Sequence, residues 1–507
     1  MQSYRGINKQ RPFYLLLLFA AACAIGIVTM CYHEMWRDES QAFLLARDSK
    51  SLADLWQNVR YEGHPILWHF ILYITYHLFP SIYTIQVVHM SIGLSVAALI
   101  VFYSPFTFFE KFLLCFSYFF SFEYLVISRN YSPGIFLLFL AVTTFYKAHS
   151  KNRILFSALL LGLSANSNIY MLIISCWLFI YFLSNSFPLL QRASYKRALF
   201  YSSILIFSLF LITALLQLIP PPDRTPKLTL AIGVGFNKTL RVSREISEAI
   251  FYFPNPFTNE NYWGSSVYSG LFNHHGPKNL FLYVPLLLTL TLIILVLFSL
   301  KRSPSILLFF SASFASLFLF MYIVFNKGLL RHTGAFFVLL IATLWLYRSS
   351  HITTVKPSIY LDRLFKAMLL LQFAGSVIVH VKEIKYAFSG AKDAASFLVR
   401  SHRNNGSIIL HPDFEGMALL HYAGIRQVYY CTIHGKGSFI RFNDKRKPCS
   451  YTHIYNIASK EHIQTMVFNG PKDDSLMNKI GYSLIYKPAA PSTVSDEVFY
   501  IYGRNSH

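Results

Sequence analysis

Adjacent acids at Asp38 and Glu39, just past the first long apolar run, are the residues of this chain with the plainest chemical potential. A carboxylate at a partly desolvated membrane boundary has its pKa raised, which suits a general base taking a proton from an attacking hydroxyl or amine. A second carboxylate beside it could hold a divalent cation or orient an acceptor. The plainer alternative is two solvated charges on a loop. Glu62 and His64, in Glu62-Gly63-His64-Pro65, add an acid and an imidazole as candidates for acceptor or metal binding, although their spacing matches no metal-ligand signature and a structural turn would also explain them. Arg129 and Tyr131 bound one apolar segment; Lys327, Arg331 and His332 bound another. Arginine offers a fork of donors and lysine a point charge, so both suit phosphate, with snorkelling to lipid headgroups as the alternative. Acids in one loop and cations at two others describe a base beside an anion cradle, a combination that favours group transfer from a phosphate-bearing lipid.

The elements that must position these groups are membrane helices. Of the 507 residues, 54% are hydrophobic and only 13% charged, and the mean hydropathy is +0.42. A soluble chain carries about a quarter charged residues, so a water-soluble enzyme is excluded. The net charge of +22 does not imply a nucleic-acid partner, because in so apolar a chain excess Lys and Arg mark cytoplasmic loops.

The first apolar run, Phe13 to Tyr32, follows Arg5, Lys9 and Arg11 and is long enough for an uncleaved anchor. Further apolar stretches lie near 83–104, 112–128, 131–147, 154–184, 198–219, 281–300, 304–326, 333–347 and 360–380. Three basic links, Lys147 to Arg153, Arg192 to Arg197 and Lys301-Arg302, are expected on the cytoplasmic side. The polar break Asn166-Ser167-Asn168 suits a turn between two short spans. Arg129, Lys327, Arg331, the loops 33–64 and 220–280, and everything after residue 380 then lie outside. The stretch Pro65 to Pro80 would upset this alternation if it crossed, and its Trp68, Tyr73 and Tyr76 suit the headgroup level instead. Leu52, Leu55, Trp56 and Val59, with Ser51 and Asp54 placed like a capping box, predict a short surface helix. The expected architecture is a polytopic α-helical membrane protein of about 10–12 transmembrane helices, residues 1–380, followed by a soluble α/β domain, residues 381–507.

In that tail the pattern predicts a strand at Ser407–His411, a helix at Glu415–Tyr422 and a strand at Gln427–Cys431. No glycine-rich phosphate loop follows a strand, which argues against a nucleotide site. Cys431 and Cys449, the only cysteines of the tail, could pair or stay free. Loop 220–280, with Arg241, Arg244, Trp263, His274 and His275, is too long for a plain connector and suggests a lid or substrate-facing element.

Taken in order, Asp38-Glu39, Glu62-Gly-His-Pro65, Ser128-Arg129-Asn-Tyr131-Ser-Pro133 and Arg331-His332-Thr-Gly334 with Trp345 resemble the polytopic GT-C glycosyltransferases, which include the protein O-mannosyltransferases and the lipid A aminoarabinose transferases. The resemblance covers roughly residues 12–350. It implies transfer of a hexosyl or pentosyl group from a polyprenyl-phosphate donor to a lipid, glycan or protein acceptor, outside the bacterial inner membrane and with inversion. It also implies Asp38 as base, Glu39 as an acceptor-orienting or metal-binding partner, and Arg129, Tyr131, Lys327, Arg331 and His332 as donor-phosphate ligands. Several relatives have an acid where this chain has Arg129-Asn130, which leaves a divalent cation open. A transporter or flippase of lipid-linked sugars and a non-catalytic envelope assembly subunit are the competing classes.

Overall fold

Long apolar runs must satisfy their backbone internally in lipid, and helices are what these runs form. The computed structural model of the protein describes residues 12–147, 152–187, 194–225, 233, 235–270, 283–324, 329–350 and 358–505. The helices of the membrane part are α1 (Pro12–Tyr32), α2 (Arg37–Asp48), α3 (Leu52–Val59), α4 (Leu67–Leu78), α5 (Thr84–Ala98), α6 (Phe108–Cys115), α7 (Tyr131–Lys147), α8 (Arg153–Ala165), α9 (Ile169–Ser186), α10 (Ser194–Leu218), α11 (Phe236–Ile250), α12 (Val267–Gly270), α13 (Val284–Leu300), α14 (Pro304–Val324), α15 (Leu330–Ser349) and α16 (Ile359–Lys385). Seven are long and apolar enough to cross a membrane, the second being α5 with a π-helical extension, Leu99–Tyr103. The shorter apolar helices α8 and α13 accompany them. A second π turn, Phe119–Glu123, follows α6.

The chain runs back and forth between two ends of this bundle. At one end Arg348 pairs with Glu110 at 2.7 Å, Lys111 reaches the Val101 carbonyl, and Arg153 reaches that of Phe145. At the other end Ser128 meets Glu39, Asn168 meets the Asn130 carbonyl, and Gln217 meets that of Trp56. Most of the predicted apolar stretches form helices, but 112–128 is broken into α6, the π turn and further turns instead of one continuous span. The segment 65–80 contributes only α4, whose 12 residues reach about 18 Å, well short of a ~30 Å hydrocarbon core. The turn at Asn166–Asn168 is present, with Asn168 capping α9 by accepting from Met171 N. Ser51 caps α3 by accepting from Asp54 N.

The tail adds α17 (Ala391–Arg400), β1 (Ile408–His411), α18 (Met417–Tyr422), β2 (Val428–Tyr430), β3 (Gly435–Gly437), α19 (Tyr451–Lys460), β4 (Thr465–Asn469), α20 (Asp474–Lys479), β5 (Tyr482–Tyr486) and β6 (Phe499–Arg504). Its six-stranded sheet has the order β3-β2-β1-β4-β6-β5, with β1 parallel to both β2 and β4. The predicted strands and helix of the tail are β1, α18 and β2. Cys431 and Cys449 are joined in a disulfide. One apolar core unites the tail with α2 and α4 through Phe43, Leu44, Trp68, Leu410, Leu419 and Val467, so the tail sits on the end of the bundle that carries Asp38.

Candidate active site

Asp38 and Glu39 stand in the first turn of α2, where exposed backbone N–H groups favour carboxylates. Successive helical residues point about 100° apart, and the two acids have different surroundings. Oδ2 of Asp38 accepts from Arg129 Nη1 and from Arg331 Nη2 at 3.1 Å. The three side chains are 15%, 14% and 10% exposed, a mostly buried group that still touches solvent. Burial pushes the Asp38 carboxyl up, but Arg129 and Arg331 outweigh it and leave it below its ordinary value. This reverses the raised pKa expected from the membrane boundary alone, because two guanidiniums 91 and 293 residues away favour the ionised form.

Arg331 lies against two indoles that pack edge to face, 5.3 Å from the Trp36 ring centroid and 5.7 Å from that of Trp263, and the rings themselves are 5.0 Å apart. Trp263 comes from the 220–280 loop, so the described part of that loop covers the site; His274 and His275 lie outside the described residues. The close approach of α15 to Tyr124 and Phe119 requires Gly334, where a Cβ would collide with both rings. Tyr124 Oη donates to the Arg331 carbonyl at 3.1 Å. Tyr131 stacks between Tyr124 and Tyr170, and Tyr170 stacks on His332 at 5.5 Å. The hydroxyl of Tyr131 is buried and has no hydrogen-bond partner among the described residues.

Glu62 and His64 lie in the same pocket. Glu62 accepts from Gln41 Nε2 at 2.8 Å, and burial pushes its carboxyl up to about 7, with Gln41 and then Arg129 opposing. Burial, reinforced by Arg129 and His69, depresses His64 to about 3, so it is neutral. Lys327 lies outside the described residues.

Glu39 is placed otherwise. It is fully buried, its Oε1 accepts from Ser128 N and its Oε2 from Trp36 N and His33 Nε2. His33 Nδ1 meets Glu383 Oε1 at 2.8 Å, and Glu383 Oε2 accepts from Tyr262 Oη. Burial opposes charge on His33, but the two carboxylates raise it to about 10 and keep it protonated. Each outer member of this chain adjoins a residue of the site: Glu39 beside Asp38, Ser128 beside Arg129, Tyr262 beside Trp263. Both oxygens of Glu39 are engaged by protein donors and the side chain is fully buried, so it is not presented to the acceptor or metal expected of it. The sequence reading passed over His33 and Glu383; the available signal was a lone imidazole closing the first span and a lone acid in the last turn of the last.

Among the described residues no three His, Cys, Asp or Glu side chains come together to hold a metal ion. A divalent cation at Asp38 would also face two fixed guanidiniums. Two guanidiniums on one carboxylate are a poor setting for such an ion.

No family model matches the chain, and no curated protein does. Among solved structures, ArnT from Cupriavidus metallidurans bound to undecaprenyl phosphate is 12% identical, with 97% of this chain and 98% of that chain covered at a TM-score of 0.56. The same protein in the apo state is 11% identical over 97% and 98%, at 0.53. At this identity the likeness is one of fold. The chain shares that fold: a polytopic helical membrane protein with a small C-terminal sheet domain.

Proposed function

We propose that this chain is a membrane glycosyltransferase that moves a hexosyl or pentosyl group from a polyprenyl-phosphate donor to a lipid, glycan or protein acceptor, with inversion. The observation that carries the proposal is Asp38 bridged to Arg129 and Arg331 in a mostly buried pocket at the tail-bearing end of the bundle. The basic links Lys147 to Arg153 and Lys301-Arg302 belong to the opposite end. By the positive-inside rule this supports a site and a tail outside the inner membrane. A transporter would instead want its ionisable groups near the midplane.

Transfer is a single displacement at the anomeric carbon. The acceptor oxygen or nitrogen bonds to that carbon and gives its proton to Asp38. The carbon–oxygen bond to phosphate breaks, and the electron pair leaves with the polyprenyl phosphate. Arg129 and Arg331 hold the phosphate as its charge grows, with Tyr131, His332 and Lys327 as further candidate ligands. The resting ion pair gives this an order. An arriving phosphate competes with Asp38 for the same guanidiniums. As they turn to it, burial is left as the main influence on Asp38, whose proton affinity rises when a base is needed. Glu62 and His64, close by and not charged alike, are placed for the acceptor. Glu39, with His33 and Glu383, positions the flanking segments.

The test is mass analysis of envelope lipids, polysaccharide and proteins from cells with and without the chain. Loss of one sugar from one component is expected, and it names the acceptor. Identical envelopes would overturn the proposal.

A further inference from the structure

Away from the site, one face of α17 borders an open cleft among the described residues. Its other face, Ala391, Ala394, Ala395 and Leu398, is buried in the core shared with α2 and α4. Lys392, Ser396, Val399 and Arg400, at i, i+4, i+7 and i+8, instead line an open cleft of about 420 Å³ together with Ile82, Tyr83 and Tyr422. A second cleft, about 280 Å³, continues from it and shares Tyr83, Lys392 and Tyr422. Its walls are Ile27, Met30 and Cys31 of α1 and Val87 and Met90 of α5, with the polar His33 and Gln86 beside them. The two form one groove that is apolar between membrane helices, carries tyrosines at its middle, and ends in cations on the tail.

The charges are selective. Elsewhere along the seam between tail and bundle, Arg37 pairs with Asp496, Arg47 with Asp48 and Arg441 with Asp54. Lys392 and Arg400 form no salt bridge among the described residues. Glu34, an acid that feels the charge of Lys392 without forming a salt bridge to it, is shifted by burial towards its neutral form. We infer that this groove holds a membrane lipid with an anionic phosphate headgroup, its chains between α1 and α5 and its phosphate on Lys392 and Arg400. Chain, interface and phosphate level of such a lipid follow the same order as the lining: apolar, tyrosine, cation. The site is separate from the candidate donor cradle, which uses Arg129 and Arg331 on other segments. A lipid there would fasten the tail to the membrane face.

The experiment uses the full-length protein, delipidated in a neutral detergent, with native mass spectrometry and thermal melting in added phosphatidylglycerol, phosphatidylcholine or water-soluble glycerol phosphate. Phosphatidylglycerol is expected to be retained and to raise the melting temperature, and the other two are not. Lys392→Ala with Arg400→Ala should weaken phosphatidylglycerol about 30-fold, roughly five-fold per charge. Val87→Trp, which fills the apolar half and leaves both cations, should also abolish retention. Equal retention of both phospholipids, or unchanged phosphatidylglycerol binding in either variant, overturns the inference. Equal binding of glycerol phosphate would show a bare anion site and overturn the lipid as occupant.

Discussion

Replacing Asp38 with Asn should separate binding from catalysis in opposite directions. The amide keeps the shape of the carboxyl but removes the charge that occupies Arg129 and Arg331. At 3.1 Å and an effective dielectric of about 20, attraction to Arg331 alone is about 5 kcal/mol before desolvation is counted. A donor phosphate must compete with that attraction in the native protein and need not in the variant. If only about 1.4 kcal/mol of it survives desolvation, polyprenyl phosphate binds about tenfold tighter. Transfer should meanwhile fall by about 10²–10⁴-fold, the usual contribution of a general base. Polyprenyl phosphate without sugar suffices as the binding probe, so the assay does not depend on the unknown sugar; titration of the purified variant in detergent reads affinity, and sugar incorporation in cells reads transfer. The variant leaves two cations unanswered, so its melting temperature must be recorded alongside. A folded variant that binds polyprenyl phosphate more weakly than the native protein would refute the competition. Native rates of transfer would refute the base.

Further expectations concern the neighbours. Arg331→Met removes a charge-assisted contact worth about 1.5–3 kcal/mol and should lower donor affinity about 10–150-fold, whereas His33→Leu, which strands two buried carboxylates, should chiefly lower the melting temperature, by the equivalent of about 3–5 kcal/mol. Because burial lifts the Glu62 carboxyl from 4.5 to about 7, the folded protein binds more protons there than the unfolded chain. Stability contributed by this group therefore falls as pH rises from 4.5 towards 7, and Glu62→Gln should flatten the melting temperature across pH 5–8 in comparison with the native protein. Cys431 and Cys449 enclose a loop with a sequence separation of 18, for which chain entropy gives about 3 kcal/mol; the double Ser variant should expose the tail to proteolysis at a lower temperature.

Local rules made much of the molecule legible. The cap at Ser51, the turn at Asn166–Asn168 and the short length of 65–80 follow from local pattern, and the alternation of spans follows from basic links. Asp38, Arg129 and Arg331 stood out as charges at the edges of apolar runs. Their mutual contact did not, since nothing local says that Arg331 lands on Asp38 rather than on a headgroup. The expected sign of the Asp38 shift failed for that reason. Glu39 was misjudged through adjacency: neighbours in sequence diverge on a helix, one of its partners, Ser128, lies 89 positions away, and His33 links it to Glu383, 350 positions from that imidazole. Trp263 was noticed only as one member of a long loop, because an indole's role over a cation depends on where the loop folds.

The π turn at Phe119–Glu123 has a consequence for how this chain can change over time. Such a turn holds one residue more than an α-helical turn, so losing any single residue within it could restore regular winding. The turns that follow, through Asn130, would then have to span the same path with one residue fewer, and Arg129 would be drawn away from Asp38 although no charged residue had been altered. Variation by insertion or deletion should therefore be far less tolerated between 116 and 128 than variation by substitution, a signature that a collection of natural variants would reveal without any biochemical assay.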